Sequence, residues 1–182
     1  MCGIAGIFNL KGVPISRQEI KSMTDAIAHR GPDGEGIFLD GNLALGHRRL
    51  AILDTSPRGA QPMMSKDSKW VIIFNGCIYN FQQLRLELQS KGHEFVSTSD
   101  TEVIVEGLSA YGPSFFERLD GMFAVAAWDK TKKELWLSRD RYGVKPLYYY
   151  MHGGVLLFAS EIKAFMANRN FSVEVNHDSL NE

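Results

Sequence analysis

The sequence has few cysteines, two in 182 residues, Cys2 and Cys77. Two thiols so far apart make neither a disulfide scaffold nor a CxxC metal knuckle. No run of eighteen apolar residues occurs, so no transmembrane helix is expected. The first residues lack the basic start and apolar core of a secretory signal. Charge of either sign is not in excess: the net charge is −1, which leaves no electrostatic footprint for nucleic acid or a membrane surface. His, Asp and Glu nowhere fall at metal-ligand spacing, and His29 and His47 read as backbone supports. No repeat or low-complexity segment is present. These absences leave a cytoplasmic soluble domain, and 45% hydrophobic residues suffice for a sizeable core.

What is present begins at the N-terminus. A cysteine directly after Met1 becomes the first residue once Met1 is removed, and its α-amine then titrates near ~8. A thiol and a base on one residue is an established way to activate a nucleophile. The competing reading is a frayed end. Against it, Ile4, Ile7 and Phe8 alternate with Gly3, Ala5 and Gly6 as in a short buried strand.

Periodicity orders the rest. Ser16 with Glu19 forms a capping box for a helix carrying Ile20, Met23 and Ile27. His29 to Gly34 is a breaker-rich turn. A hairpin follows around Asp40-Gly41-Asn42, its second strand expected to run from Leu43 through Leu53. Trp70 to Phe74 reads as a strand buried on both faces that stops at Asn75-Gly76. A helix from about Asn80 ends at Gly92, and His93 to Val96 is expected to be extended. Ser99 with Glu102 gives a second capping box, opening a helix that Gly112-Pro113 closes. Strands are then expected over 122–128, 134–138, 147–151 and 155–159, with a short helix near Ser160. Strands on either side of central helices indicate an α+β layered domain.

Several residues suit amide hydrolysis. Asn75 offers a side-chain amide donor and Gly76 an unobstructed N–H, as an oxyanion requires, although Asn-Gly is also a common turn. Arg49 stands in an otherwise apolar strand and suits a carboxylate, or is a strand-edge arginine with its head in water. Asp100 begins a helix and suits an ammonium, or is an anion placed to complement the helix dipole.

Together these segments resemble the class II glutamine amidotransferases. The resemblance rests on Cys2 to Gly6, His29 to Gly34, Gly46 to Asp54, Gln61 to Met63, Asn75 to Asn80, Ser99 to Glu102, Leu119 to Ala124, Arg139 to Tyr149 and Ser160 to Ala164, in that order. The glutaminase domain of the glutamine-hydrolysing asparagine synthetase family is the nearest likeness, and it covers nearly the whole chain.

The resemblance implies a four-layer αββα N-terminal nucleophile hydrolase fold over residues 2–182, the last residues leading toward a synthetase domain. It implies that glutamine is hydrolysed through a Cys2 thioester, with Asn75 and Gly76 as the oxyanion hole. Arg49, helped by Leu50, Ile52 and Leu53, would hold the α-carboxylate of L-glutamine, and Asp100 the α-ammonium. No cofactor is expected in this domain. ATP and magnesium belong to the ATP-pyrophosphatase-type synthetase domain, the expected partner, and a homodimer of the full-length protein stays open. One departure stands out. The family usually has a glutamate where this chain has Cys77, which leaves open a tolerated substitution, a Cys2–Cys77 disulfide, or a regulatory module without turnover.

Overall fold

In the computed structural model the described residues are 1–173. Strand β1 (Gly3–Asn9) leads to helix α1 (Arg17–Ala26) and the hairpin β2 (Gly34–Asp40) and β3 (Leu43–Arg49). After β4 (Met63–Met64) and β5 (Trp70–Ile78) come helices α2 (Phe81–Ser90) and α3 (Asp100–Tyr111). Strands β6 (Gly121–Asp129), β7 (Glu134–Arg139), β8 (Tyr148–His152) and β9 (Val155–Ala159) follow, then the one-turn helix α4 (Lys163–Met166).

The strands form two antiparallel sheets, ordered β2-β3-β1-β9-β8 and β4-β5-β6-β7. Side chains alternate faces along a strand, and that alternation builds the layers. Ile4, Leu43, Leu45 and Phe158 of the first sheet meet Val71, Ile73, Ala124, Ala126 and Trp128 of the second in one buried cluster. The opposite face of the first sheet, through Ala5, Ile7, Ala44 and Leu157, packs on Ile20 and Met23 of α1, on Ile27 just after it, and on Phe165 of α4. The opposite face of the second, through Ile72, Phe74 and Val125, packs on Leu84 and Leu88 of α2 and Val103, Ile104 and Leu108 of α3. Helix, sheet, sheet, helix is the expected four-layer αββα order. Gly6 is part of that closeness: a Cβ there would lie 1.9 Å from the Phe158 ring.

The Ser16–Glu19 capping box forms as expected. Four local expectations are corrected. Strand β3 ends at Arg49, not Leu53, because the Asp33 N–H takes the Arg49 carbonyl (3.0 Å) and the Asp33 carboxylate takes the Ala51 N–H (2.9 Å). Strand β5 does not stop at Asn75-Gly76: Asn75, Gly76 and Cys77 stay in register with Ala124, Phe123 and Met122, since β6 supplies ladder partners to Ile78. Residues His93–Val96 join no strand. Glu102 spends its carboxylate on the N–H groups of Val96 and Ser97 (both 2.8 Å), so the second capping box does not close on Ser99. Ser99 still caps α3 by accepting from the Thr101 N–H (3.0 Å). The linker expected over Val173–Glu182 lies, beyond Val173, outside the described residues.

Candidate active site

The even-numbered residues of β1 and the odd-numbered residues of β5 face the space between the sheets. Continuing those alternations to the strand ends brings Cys2, Asn75 and Cys77 to one mouth of the sandwich. The segment after β3 and the start of α3 close it from the sides. The result is a cavity of about 300 Å³ lined by Cys2, Arg49, Leu50, Ile52, Leu53, Asn75, Gly76, Cys77 and Asp100, among others. Every residue singled out from the sequence is in that wall, drawn from segments far apart in the chain.

Cys2 is held on both sides of its side chain. The Leu50 N–H lies 3.3 Å from its Sγ, and the thiol reaches the Leu50 carbonyl at 3.5 Å. Its carbonyl accepts from Arg30 Nε at 2.9 Å, and Arg30 is in turn paired with Glu161 at 2.9 Å. Burial works to raise the Glu161 pKa, but hydrogen bonds from Arg30, Lys163 and His29 outweigh it and hold the carboxyl at about 2. The buried Ile4 N–H donates to Ser160 Oγ (3.0 Å), so the first residues are fixed from three directions.

Asn75 is 2% exposed, and its Nδ2 is buried without a hydrogen-bond partner. A buried amide donor left unsatisfied costs roughly 1–3 kcal/mol. At the rim of a cavity beside a thiol, such a donor is arranged for an acceptor that arrives with a ligand. Gly76 follows on the same strand, where a Cβ would come within 2.3 Å of the Met122 carbonyl. Below them His47, fully buried, donates from Nε2 to the Phe74 carbonyl (3.2 Å) and fixes the peptide that leads into Asn75. Burial drives the His47 pKa down to about 4, with the Phe74 hydrogen bond opposing and the Arg49 charge adding to the fall. It is a neutral backbone support at working pH. His29, the other histidine read as a backbone support, pairs instead with the Glu161 carboxylate (3.0 Å).

The two ends of the cavity carry opposite charge. Arg49 directs its terminal nitrogens to the carbonyls of Ser56 (2.9 Å) and Asp54. Those bonds anchor the guanidinium, and its remaining N–H groups stay available. Asp54 is held near 2 by the Ser56 hydroxyl and then the Thr98 N–H, which pins the loop after β3 to the approach of α3. At the other end Asp100 is 4% exposed and accepts the Ile78 N–H at 3.0 Å. Burial raises its pKa despite the backbone N–H groups around it. Cys77 is pushed up by burial, then by the Asp100 charge, with Lys145 opposing, so it is a neutral thiol at pH 7. Cys2 and Cys77 are both free thiols. Among the described residues no group of three or more His, Cys, Asp or Glu converges as metal ligands.

Sequence reasoning missed Gln61, Arg30 and Lys145. Gln61 Oε1 takes the Phe74 N–H (2.6 Å) and its Nε2 reaches Thr101 Oγ1 (3.3 Å), tying β5 to α3 beneath the cavity. All three lie in motifs that carry the family likeness, but their roles depend on contacts across the fold that spacing does not reveal.

A four-layer sandwich with a cysteine, an orphaned amide donor and two opposed charges at one mouth defines a class of amide-processing domain. The family model described as "Glutamine amidotransferase domain" matches residues 1–182, and the chain belongs to that family. It is 39% identical over 185 residues to asparagine synthetase [glutamine-hydrolyzing] 3 of Bacillus subtilis (strain 168), covering 100% of this chain and 30% of that protein. It is 37% identical over 179 residues to amidase chry2 of Gibberella zeae, covering 92% of this chain and 26% of that protein. Among solved structures, the glutamine phosphoribosylpyrophosphate amidotransferase from B. subtilis superposes with a TM-score of 0.76 at 25% identity, covering 91% of this chain and 43% of that one. The chain thus spans about a third or less of the length of these curated relatives. No helix among the described residues is long and apolar enough to cross a membrane.

Proposed function

We propose that this domain hydrolyses glutamine to glutamate and ammonia, with Cys2 as nucleophile after removal of Met1. The observation that carries the reading is the convergence, in one cavity, of the Cys2 thiol, the unpartnered Asn75 Nδ2 and the opposed charges of Arg49 and Asp100. The α-amine of Cys2 takes the thiol proton, and the thiolate attacks the side-chain amide carbon. The oxygen that gains charge is held by Asn75 Nδ2 and the Gly76 N–H, each donor worth on the order of 100-fold in rate. The amide nitrogen takes the proton from the α-ammonium and leaves as ammonia, giving a γ-glutamyl thioester. Water, deprotonated by the same amine, then releases glutamate and restores the thiol.

Arg49 takes the α-carboxylate, supported by Leu50, Ile52 and Leu53 at the rim, and Asp100 takes the α-ammonium beside the neutral Cys77. The ammonia passes to an ATP-dependent, magnesium-requiring synthetase domain, with aspartate the default acceptor, in the cytoplasm; the Bacillus subtilis relative, named a glutamine-hydrolyzing asparagine synthetase and matched over 30% of its length, supports that reading. The two-thiol composition suits that compartment.

The test compares glutamate release by chain lacking Met1 with chain in which Met1 is retained, each verified by intact mass. Activity confined to the processed chain is expected. Equal absence of activity in both would favour a binding module instead. Asp100→Asn is expected to raise KM for glutamine by about 10- to 100-fold with little change in kcat, as a charge-assisted bond is lost. Because burial raises the Asp100 pKa, KM of the unmodified protein should climb as pH falls through that raised value. A flat KM down to pH 4 would contradict the role given to Asp100.

A further inference from the structure

Lys145 is a charged wall residue of the cavity for which glutamine hydrolysis as described has no use. It is 8% exposed and faces the same space as Cys2, Cys77 and Asp100. Its loop is built to place it there. Asp140 accepts the N–H groups of Val144 (2.8 Å), Lys145 (2.9 Å) and Phe123 (3.2 Å), and Arg139 Nε donates to the Lys145 carbonyl (2.7 Å). Burial works against ionisation of Asp140, yet these bonds keep its pKa lowered, so the loop is fixed by a full charge.

The Lys145 ammonium has poor company for a buried cation. Its Nζ contacts the thioether of Met1 at 3.3 Å, and no carboxylate among the described residues lies within 4.0 Å of it. A thioether is a weak acceptor, and a buried charge without a partner is strongly unfavourable. Cys77, which feels the charges of both Asp100 and Lys145, is neutral and gives Lys145 no counter-charge. The thioether that Lys145 touches belongs to a residue whose removal the proposed chemistry requires, and it is a few bonds from the Cys2 nitrogen.

The other charges around Cys2 each have a counter-ion, neutral hydrogen-bond partners or a place in substrate binding. Arg30 is balanced by Glu161, Arg49 is bound to the Asp54 and Ser56 carbonyls, the Asp54 carboxylate is held by Ser56 and Thr98, and buried His47 is neutral. Asp100, at the far end of the cavity, accepts the Ile78 N–H and is the anion reserved for substrate. Among the described residues the Lys145 ammonium has neither an oxygen partner nor a part in binding the substrate.

We propose that Lys145 is a positioning residue acting through Cys2: after loss of Met1 its ammonium keeps the Cys2 α-amine, the base for the thiol, unprotonated at neutral pH. The inference rests on the glutaminase reading for its role in turnover. A cation that shares a partly desolvated cavity with an amine lowers the amine's pKa by on the order of one unit. An amine that would titrate near ~8 is then free base at pH 7.

The acid limb of kcat/KM against pH reports the base of the free enzyme. In the Met1-processed protein, Lys145→Met and Lys145→Gln should move the midpoint of that limb up by about one unit, with rates converging toward the parent above about pH 9 and KM little changed. Lys145→Arg should keep the parent midpoint. Melting temperature should not fall in the neutral variants, since each removes an unpaired buried charge. A second readout is the pH profile of iodoacetamide alkylation at Cys2, followed by mass spectrometry, which needs no turnover. The same upward shift there in a protein that fails to hydrolyse glutamine would retain the inference and reject the glutaminase reading. An unmoved midpoint in both profiles would overturn the inference, and a large loss of melting temperature with that unmoved midpoint would mark Lys145 as structural.

Discussion

Cys2→Ala is expected to abolish glutamine hydrolysis, lowering kcat by at least about 10⁴-fold, while the melting temperature stays within a few degrees of the parent. Removal of a covalent nucleophile leaves only substrate binding and the oxyanion donors, which cannot form the thioester. The fold should not notice the change. The thiol is only partly buried, and its polar contacts are both to Leu50, at 3.3 and 3.5 Å, where sulfur's weakness as donor and acceptor limits what they contribute. The N-terminal segment is anchored instead by Arg30 on the Cys2 carbonyl and by Ser160 on the Ile4 N–H, and alanine preserves both. Glutamate release and a thermal melt on the same preparation check the pair of statements. Residual hydrolysis at a tenth of the parent rate would remove Cys2 from the chemistry. A collapsed melt would leave its catalytic role to be read from Cys2→Ser.

Asn75→Ala is expected to lower kcat by about 100- to 1000-fold with little change in KM, because its amide meets the substrate oxygen chiefly when that oxygen is charged. The stability result separates this from ordinary damage to a buried polar residue. Nδ2 of Asn75 is unpartnered in the free protein, so deleting it abandons no bond from that nitrogen and the melt should hold. Gln61→Ala is the control. Gln61 is also buried, but it satisfies the Phe74 N–H and reaches Thr101, so its loss strands a buried donor and costs roughly 1–3 kcal/mol. If Asn75→Ala proved as destabilising as Gln61→Ala, with a proportionate loss of rate, the oxyanion role would fall.

Much of the architecture is local and was therefore legible. The capping box at Ser16, the helical stripe of Ile20, Met23 and Ile27, and the alternation in β1 each depend on residues close in sequence. The expectations that failed did so where a distant partner took over. Asn75-Gly76 has the composition of a turn, yet β6 pairs with it and keeps it extended. Glu102 has capping-box spacing, yet the 96–97 backbone claims its carboxylate. Apolar Leu50 to Leu53 prolongs a strand pattern, yet Asp33 turns the chain after Arg49, and Ile52 is 73% exposed.

The sequence by itself singled out Cys2 as the candidate nucleophile, Asn75 and Gly76 as candidate donors and Arg49 and Asp100 as opposed charges, because each is a residue type in a short motif whose order identifies the family. Only the tertiary structure decided that these residues share one cavity, that Asn75 keeps a free donor there, and that Lys145 lines the same wall with its ammonium against the Met1 thioether. Spacing along the chain carries information about faces and turns. Burial, hydrogen-bond satisfaction and charge pairing are set by what other segments bring, and those exist only after the sheets have stacked.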